Sequence, residues 1–197
     1  MRALGETRLT LVDRFGAFLS TAPIRAVVAR YSQPDLLDVG CGYEALLLRE
    51  FAARLGSGVG IDTRVSDGAK STPKLRFSEG AAEQVLPTVP EGSFDVVTMI
   101  SVLEHVWEPT VVLGLCRRAL RPGGTLVLNV PNWRGKQMLE LSAFRLKLST
   151  PEAIDDHKAY YDKRDLWPLL VKSGFKPRNI RMRYHKFGLN LFAEARV

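Results

Sequence analysis

The chain has 197 residues, of which 46% are hydrophobic and 25% are charged, and its formal net charge is +7. This length and composition predict one soluble globular domain with a buried core. They argue against a membrane-spanning protein, because no apolar run approaches the roughly 18 residues that a spanning helix needs. Asp13 and Arg14 interrupt the N-terminal apolar stretch, so we expect no signal peptide and a cytoplasmic protein. Cys41 and Cys116 agree with this location, because their spacing suggests neither a disulfide framework nor a metal site.

The first predicted elements are helical. Residues 1–31 carry apolar side chains at helical spacing, and Thr21 before Pro23 marks a break and a new helix start. We interpret residues 1–31 as an N-terminal helical cap that covers the core.

Residues 36–45 predict a strand, a tight turn and the start of a helix. An apolar run that contains an acid precedes Gly40-Cys41-Gly42, and a helix-compatible segment follows. Glycine tolerates a positive φ and has no Cβ, so a ligand can lie against the backbone N–H groups at the helix start. The pattern predicts a cofactor pocket, but Gly-x-Gly-x-x-Ala also fits a dinucleotide fingerprint.

The second predicted strand, residues 59–62, ends in an acid. Asp62 follows the turn by about twenty residues, the spacing at which a carboxylate can bind ribose hydroxyl groups. NAD and S-adenosylmethionine share that ribose, so the spacing does not separate the two cofactors. A loop-like segment leads to a third strand, residues 74–77, which is followed by Gly80 and two alanines.

Residues 94–130 predict two further strands joined by a helix. The apolar run 94–100 is typical of a strand buried on both faces, and residues 101–105 follow it. A helix is predicted over residues 110–120, and a fifth strand over residues 125–130. The repeated alternation of strand and helix predicts a parallel, doubly wound sheet that binds ligands beyond the carboxyl ends of its strands.

Residues 131–161 form an insertion that the minimal sheet does not need. Apolar side chains lie along one side of a helix at Met138, Leu141, Phe144 and Leu148, with basic residues on its flanks. We interpret the segment as a lid over an apolar substrate or as an interfacial helix on acidic lipid. An ordinary helix packed on the core remains an equal alternative.

The C-terminal part predicts a helix and a hairpin. The helix is capped by Asp162 or Asp165 and runs to Gly174, and Pro168 favours the later start. Residues 176–184 and 187–197 alternate apolar and polar side chains, which predicts an antiparallel pair of strands around a turn at residues 185–186.

All of the excess positive charge lies in this C-terminal part. Residues 163–197 hold nine basic and two acidic residues, so the remaining 162 residues carry nineteen of each sign. One interpretation is attraction to an anionic partner such as RNA, a phosphorylated substrate or a membrane surface. We favour the other interpretation, in which Arg178, Arg181, Arg183 and Lys186 protect an exposed sheet edge from aggregation.

Four motifs in this order resemble the class I S-adenosylmethionine-dependent methyltransferases, and within them the type 11 small-molecule group that includes the quinone-biosynthesis methyltransferases. The motifs are Leu37-Asp38-Val39-Gly40-Cys41-Gly42, Asp62, the strand Phe94-Asp95-Val96-Val97 running into Glu104-His105, and Leu120-Arg121-Pro122-Gly123-Gly124-Thr125-Leu126. The resemblance implies an α/β fold: a Rossmann-like, doubly wound, seven-stranded and mostly parallel sheet that ends in an antiparallel hairpin. We expect one methyltransferase domain over residues 1–197.

The resemblance also implies S-adenosyl-L-methionine as the cofactor. It places Asp38 near the methionine ammonium, Asp62 on the ribose hydroxyls, and the backbone of Ile100 and Ser101 at the reactive end. The implied cofactor-binding set is Asp38, Gly40, Cys41, Gly42, Asp62, Thr63, Ala81, Ala82, Ile100 and Ser101. Adenine recognition is expected from backbone groups, because Ala81 stands where the family has an acid.

One residue departs from the family pattern. Glu44 stands at the position of the usual third glycine. Its carboxylate could point to solvent at a helix N-terminus, where negative charge is favourable. It could instead crowd the cofactor and weaken its binding.

His105 and His157 are the candidates for a general base, because imidazole titrates near neutral pH. The carboxylates Glu104, Asp155 and Asp156 show no coordination spacing, so no metal site is predicted. We predict O-methylation of a small or lipid-linked molecule, with peripheral membrane contact as a further expectation. The alternatives are an NAD-binding oxidoreductase and an RNA-directed methyltransferase or RNA-binding module; a nucleic-acid partner is disfavoured but stays open.

Overall fold

The computed structural model describes residues 21–140 and 158–197; for residues 137–140 it describes the backbone only. The predictions that fall on residues 1–20 and 141–157, including most of the N-terminal cap and much of the lid, therefore lie outside the described residues. His157 is among them. No helix in the described ranges is long and apolar enough to cross a membrane.

Seven strands of the described chain form one sheet in the order β3-β2-β1-β4-β5-β7-β6. The strands are β1 (Asp35–Val39), β2 (Ser57–Asp62), β3 (Leu75–Glu79), β4 (Phe94–Ile100), β5 (Leu120–Pro131), β6 (Ile180–His185) and β7 (Asn190–Arg196). Strands β1 to β5 pair in parallel, whereas β7 is antiparallel to both β5 and β6. The predicted fold class, a mostly parallel doubly wound sheet with a C-terminal antiparallel hairpin, is confirmed.

The described helices connect these strands. They are α1 (21–28), α2 (Leu46–Phe51), α3 (Asp67–Lys70), α4 (Ala82–Val85), α5 (Pro109–Ala119), α6 (Trp133–Glu140) and α7 (Lys163–Lys172), with 3₁₀ turns at Ala52–Arg54, Leu86–Thr88, Leu103–His105 and Pro177–Asn179. The carboxyl ends of β1 to β5 lie at one edge of the sheet. Pro131 pairs with Asn190, so the turn between β6 and β7 lies at that edge as well.

Apolar layers cover both faces of the sheet. On one face Leu37, Val97 and Leu128 pack with α5 and α7, and on the other Leu36 and Val96 pack with α1 and α2. Neighbouring residues of each central strand therefore enter different cores, which explains why apolar residues follow one another in these strands instead of alternating with polar ones. Each fully buried leucine contributes about 1.5–3 kcal/mol to folding, so the two layers hold the carboxyl edge in a fixed geometry.

The start of α7 corrects one prediction. The helix begins at Lys163, and Pro168 lies inside it. Asp162 and Asp165 form a capping box in which Asp165 Oδ2 accepts a hydrogen bond from the Asp162 N–H group at 2.8 Å. The helix starts at the earlier position because this reciprocal cap and the burial of Leu166 offset the loss of the backbone hydrogen bond that Pro168 cannot donate.

Other boundaries also differ from the prediction, and β6 begins at Ile180 rather than at residue 176. Strand β5 begins at Leu120, which pairs with Phe94 before a register shift. The helix-compatible segment after the glycine turn, residues 45–55, forms a short α2 followed by a 3₁₀ turn. The hairpin turn spans residues 186–189 rather than 185–186, and these shifts leave the carboxyl edge unchanged.

Candidate functional site

The glycine turn after β1 is closed on one side and open on the other. The N–H groups of Gly40 and Cys41 donate to the Ile61 carbonyl at 2.7 and 3.1 Å, which holds the turn against β2. Gly40 has φ +74°, and a Cβ there would lie 2.1 Å from Val102 Cγ2. Gly42 has φ +75°, and a Cβ there would meet nothing within 4 Å. The open side of Gly42 is therefore a place where a ligand can approach the backbone.

Asp62 lies directly against this turn at the end of β2. Its Oδ2 accepts a hydrogen bond from the Gly42 N–H group at 2.7 Å. Its Oδ1 accepts from the backbone N–H and the hydroxyl of Thr63, at 2.7 and 3.2 Å. The structure thus brings Gly42, Asp62 and Thr63 together around one partly exposed carboxylate. A carboxylate has about four acceptor sites, so these contacts leave capacity for ligand hydroxyl groups.

Asp38 is placed more deeply than Asp62. Only 3% of its surface is exposed, and Oδ1 accepts a hydrogen bond from the Thr98 hydroxyl of the neighbouring strand at 2.6 Å. Burial raises the pKa of Asp38 to about 7, with the Thr98 hydrogen bond opposing the shift and the charge of Asp62 adding to it. A carboxyl group in this setting ionises more readily beside a cation, so it suits the positive end of a ligand.

Cys41, between the two glycines, has a structural role in the described contacts. Its side chain is buried, and burial raises the pKa of its thiol. A Cβ on Gly60 of β2 would lie 2.8 Å from Cys41 Sγ. The sulfur therefore packs under the turn, and only the backbone of Cys41 borders the open side.

Glu44 is directed to the loop after β2. Its Oε2 accepts hydrogen bonds from the Ser66 hydroxyl at 3.2 Å and from Arg49 Nη1 at 3.4 Å. Ser66 in turn caps α3 by accepting from the Ala69 N–H group at 3.1 Å. Because nothing lies within 4 Å of a Cβ built on Gly42, Glu44 leaves that side of the turn open.

Ala81 and Ala82 lie one strand beyond Asp62. They form the start of α4 after β3, and both are partly buried. Glu79 pairs in register with Asp62, but its Oε1 accepts from the Val65 N–H group at 2.8 Å and from Lys70 Nζ at 3.0 Å. The Glu79 carboxylate therefore holds the loop after β2, and the predicted backbone contacts of the two alanines remain untested.

Ile100 and Ser101 form the carboxyl end of β4. Ser101 is exposed and has φ +55°, a left-handed conformation that is uncommon for a serine. Its N–H group donates to the Asn129 carbonyl of β5 at 2.8 Å. This bond fixes the direction in which β4 leaves the sheet and places Ser101 at the edge next to β5.

His105 follows in the 3₁₀ turn, beside the chain that returns from the insertion. Lys158 Nζ donates a hydrogen bond to the His105 carbonyl and lies 4.7 Å from the Trp107 ring centroid. The N–H groups of Lys158 and Ala159 donate to the Glu104 carbonyl at 2.7 and 3.3 Å. His105 is thus at the carboxyl edge of β4, whereas His157 lies outside the described residues.

The side chain of Glu104 is enclosed beside Tyr161. It is 1% exposed, and Oε2 has no hydrogen-bond partner in the part of the chain that the structure describes. Burial raises the pKa of Glu104 to about 8. Burial is also the main cause that raises the pKa of Tyr161 to about 12, and the charge of Glu104 adds to it. Within the described ranges no three side chains of His, Cys, Asp or Glu form a group that could hold a metal ion.

Sequence reasoning missed two polar residues of this edge, Thr98 and Asn129. Both are buried among apolar neighbours, in β4 and β5 respectively. The available signal was a polar residue inside each apolar strand run, because such a residue needs a partner. The Thr98 side chain has a partner in Asp38, whereas the Asn129 side chain has none among the described residues.

The sequence matches a family described as "Methyltransferase domain" over residues 10–180. A ubiquinone biosynthesis O-methyltransferase of Xanthomonas oryzae pv. oryzae (strain PXO99A) is 40% identical over 105 residues, which cover 49% of this chain and 43% of that protein. The corresponding protein of Aliivibrio fischeri (strain MJ11) is 30% identical over 155 residues, covering 74% of this chain and 65% of that protein. The chain thus spans less than two thirds of the length of these curated relatives.

A solved structure gives the same fold. The crystal structure of a SAM-dependent methyltransferase from Archaeoglobus fulgidus superposes with a TM-score of 0.66 at 15% identity. The superposition covers 95% of this chain and 100% of that one. At this identity the likeness concerns the fold alone.

Proposed function

This chain belongs to the S-adenosylmethionine-dependent methyltransferases, and from that membership we propose that it transfers the methyl group of S-adenosyl-L-methionine to an oxygen of a small or lipid-linked molecule. Methyl transfer from a sulfonium is an in-line displacement, so the protein contributes chiefly by aligning the donor with the nucleophile in a dry site. Few side chains need to act directly.

The observation that carries this proposal is the open side of Gly42 with the Asp62 carboxylate beside it. In our proposal the nucleoside lies against Gly42, and Asp62 and Thr63 bind its ribose hydroxyls. Asp38 faces the methionine ammonium, whose positive charge favours the ionised carboxylate. Backbone groups of Ala81 and Ala82 border the adenine, and Ile100 and Ser101 border the reactive end.

Calorimetry with S-adenosylhomocysteine and with NADH tests the cofactor assignment. We expect S-adenosylhomocysteine to bind and NADH not to bind. Asp62→Asn is expected to weaken S-adenosylhomocysteine binding by about tenfold, because it removes the charge that strengthens the ribose hydrogen bonds. Asp67→Asn, an exposed acid at the start of α3, is the matched control and should bind like the unchanged protein. Preferential binding of NADH would refute the assignment.

We propose that residues 131–161 cover the acceptor. The support is that both ends of this segment meet the same edge: the Tyr161 N–H group donates to the Pro131 carbonyl at 3.1 Å, and residues 158–159 bind the Glu104 carbonyl. His105 and His157 are our candidates for the base that removes the acceptor proton. Loss of the acidic limb of the pH–rate profile in His105→Gln or His157→Gln would identify which one acts.

We also propose that this edge touches an acidic membrane surface when the acceptor is lipid-linked. Exposed aromatic side chains flank the site, with Trp107 76%, Trp133 50% and Phe187 89% exposed. Aromatic rings beside lysines are typical of interfacial contact. The double variant Trp107→Ser/Phe187→Ser should cosediment less with vesicles of phosphatidylcholine and phosphatidylglycerol than the unchanged protein does. The control Trp167→Ser alters an exposed ring of α7, and equal losses in both proteins would contradict the proposal.

A further inference from the structure

Asn129, near the carboxyl end of β5, has a buried amide group without any hydrogen bond. The residue is 1% exposed, and within residues 21–140 and 158–197 neither Oδ1 nor Nδ2 has a hydrogen-bond partner. An unpaired buried polar group costs about 1–3 kcal/mol, and most buried amides in folded proteins are paired. The fold therefore carries a cost at Asn129 that its own contacts do not offset.

The sheet register places this amide at the candidate site. Asp38 pairs with Thr98, and Thr98 pairs with Val127, so these three share one face of the sheet. Asn129 follows Val127 by two residues and therefore lies on the same face, one step closer to the carboxyl edge. Its carbonyl accepts the Ser101 N–H group at 2.8 Å, so the unpaired amide stands next to the end of β4.

A second buried asparagine shows what a structural role looks like in this region. Asn132 is 0% exposed. Its Nδ2 donates to the Gly188 carbonyl at 2.7 Å, and its Oδ1 accepts from the Gly135 N–H group at 2.8 Å. Asn132 thus ties β5 and the start of α6 to the hairpin turn. Asn129, three residues earlier, makes no such tie.

We propose that the Asn129 amide binds the methyl acceptor and selects for a second hydroxyl group besides the methylated oxygen. The amide offers a donor and an acceptor side by side, so it fits oxygen atoms that accept one hydrogen bond and donate another. A site built to bond a hydroxyl rejects an analogue that lacks it, because the buried amide would then stay unpaired. This inference rests on the methyl transfer proposed above.

Stability measurements test the inference without an acceptor. Asn129→Leu and Asn132→Leu are compared by urea unfolding, together with the alanine variants of both residues in case leucine does not fit. Asn129→Leu should be as stable as the unchanged protein or more stable, because it removes an unpaired amide and keeps the branching of the side chain. Asn132→Leu should unfold at lower urea. If both leucine variants and both alanine variants lose stability equally, the fold itself uses the Asn129 amide and the inference is wrong.

Binding measurements test the selection. In NMR spectra, the side-chain NH₂ resonance of Asn129 is assigned as the one that disappears in Asn129→Leu. With S-adenosylhomocysteine present, 4-methylcatechol should shift this resonance in the unchanged protein, and 4-methylphenol should not. In Asn129→Leu the KM for 4-methylcatechol should rise by about tenfold or more, while calorimetric binding of S-adenosylhomocysteine stays unchanged. An unmoved resonance or an unchanged KM would overturn the role of Asn129. Failure of S-adenosylhomocysteine to bind the unchanged protein would instead refute the proposed function.

Discussion

The two glycines of the turn after β1 share a positive φ but differ in what surrounds them. A methyl group on Gly40 would collide with Val102, whereas one on Gly42 would enter open space. The same residue type therefore serves packing at one position and ligand access at the other. Only a measurement that separates folding from binding can distinguish the two roles.

Alanine substitutions provide that separation. Gly40→Ala should lower the free energy of unfolding strongly, because a Cβ would lie 2.1 Å from Val102 Cγ2. Gly42→Ala should cost only the strain of a positive φ, about 1 kcal/mol, yet it should weaken S-adenosylhomocysteine binding. Gly92→Ala is the matched control, because Gly92 also has a positive φ (+61°) and no atom within 4 Å of the added Cβ. Equal calorimetric affinities for Gly42→Ala and Gly92→Ala would show that the turn does not contact the ligand.

The two buried carboxyl groups predict how stability changes with pH. The pKa of Asp38 is raised from 3.8 to about 7 and that of Glu104 from 4.5 to about 8, in both cases chiefly by burial. Between these values the native state holds protons that the unfolded state has released, so raising the pH favours unfolding. We expect the free energy of unfolding to fall from about pH 5 to about pH 8.

The variant Glu104→Gln tests whether Glu104 contributes to this fall of the unfolding free energy with pH. Glu104→Gln keeps the shape of the side chain but cannot ionise, so its unfolding free energy should fall less over the same pH range. Urea unfolding at several pH values measures the difference. Glu91→Gln, which changes an exposed residue, should keep the full slope; a Glu104→Gln profile parallel to that of Glu91→Gln would contradict the prediction.

At the scale of single elements, the start of α7 depends on a reciprocal cap. The Asp162 side chain accepts from the backbone of the first turn while Asp165 bonds back to the Asp162 N–H group. Asp162→Ala should therefore lower the free energy of unfolding by about 1 kcal/mol. Denaturant unfolding measures this loss, with Asp67→Ala at the start of α3 as the control, because Ser66 caps that helix. No loss in Asp162→Ala would mean that burial of Leu166 alone fixes the helix start.

How much could be predicted from sequence differed between elements. The strand runs 94–100 and 125–130 were predictable because they enter two apolar cores, and the order of motifs predicted the parallel sheet. The start of α7 could not be predicted in the same way. Pro168 argues against a helix there, and the cap and the tertiary burial that support the helix are seen only in the structure. The sequence shows that Asn129 interrupts an apolar strand run, but only coordinates show whether its buried amide has a partner.

At the scale of the whole molecule, the sheet ends in a basic strand. Strand β6 lies at the end of the strand order and pairs only with β7 in the described chain. Arg181 and Arg183 are exposed on it, and the Arg183 guanidinium lies 5.1 Å from the Phe192 ring centroid. This placement agrees with the interpretation that the C-terminal charge protects an edge.

Removing that charge should expose the edge. Arg181→Thr combined with Arg183→Thr keeps strand-forming residues but takes away two cations, so we expect concentration-dependent self-association in light scattering. The control Lys172→Thr removes an exposed cation at the end of α7, which is not part of the edge strand. A variant that stays monomeric but loses salt-sensitive binding to an RNA oligonucleotide would favour the anionic-partner interpretation instead.

The insertion leaves the sheet at Pro131 and ends at Tyr161, just before α7, and the Tyr161 N–H group donates a hydrogen bond to the Pro131 carbonyl. Its two anchor points are therefore adjacent, and a replacement of almost any length could bridge them at little entropic cost. Under our proposal that residues 131–161 cover the acceptor, such a replacement would change which molecules reach the strand ends, while Asn129 and the rest of the strands stay as they are. A transplant of the corresponding segment from another enzyme of this fold is the most direct route to a new specificity on this scaffold.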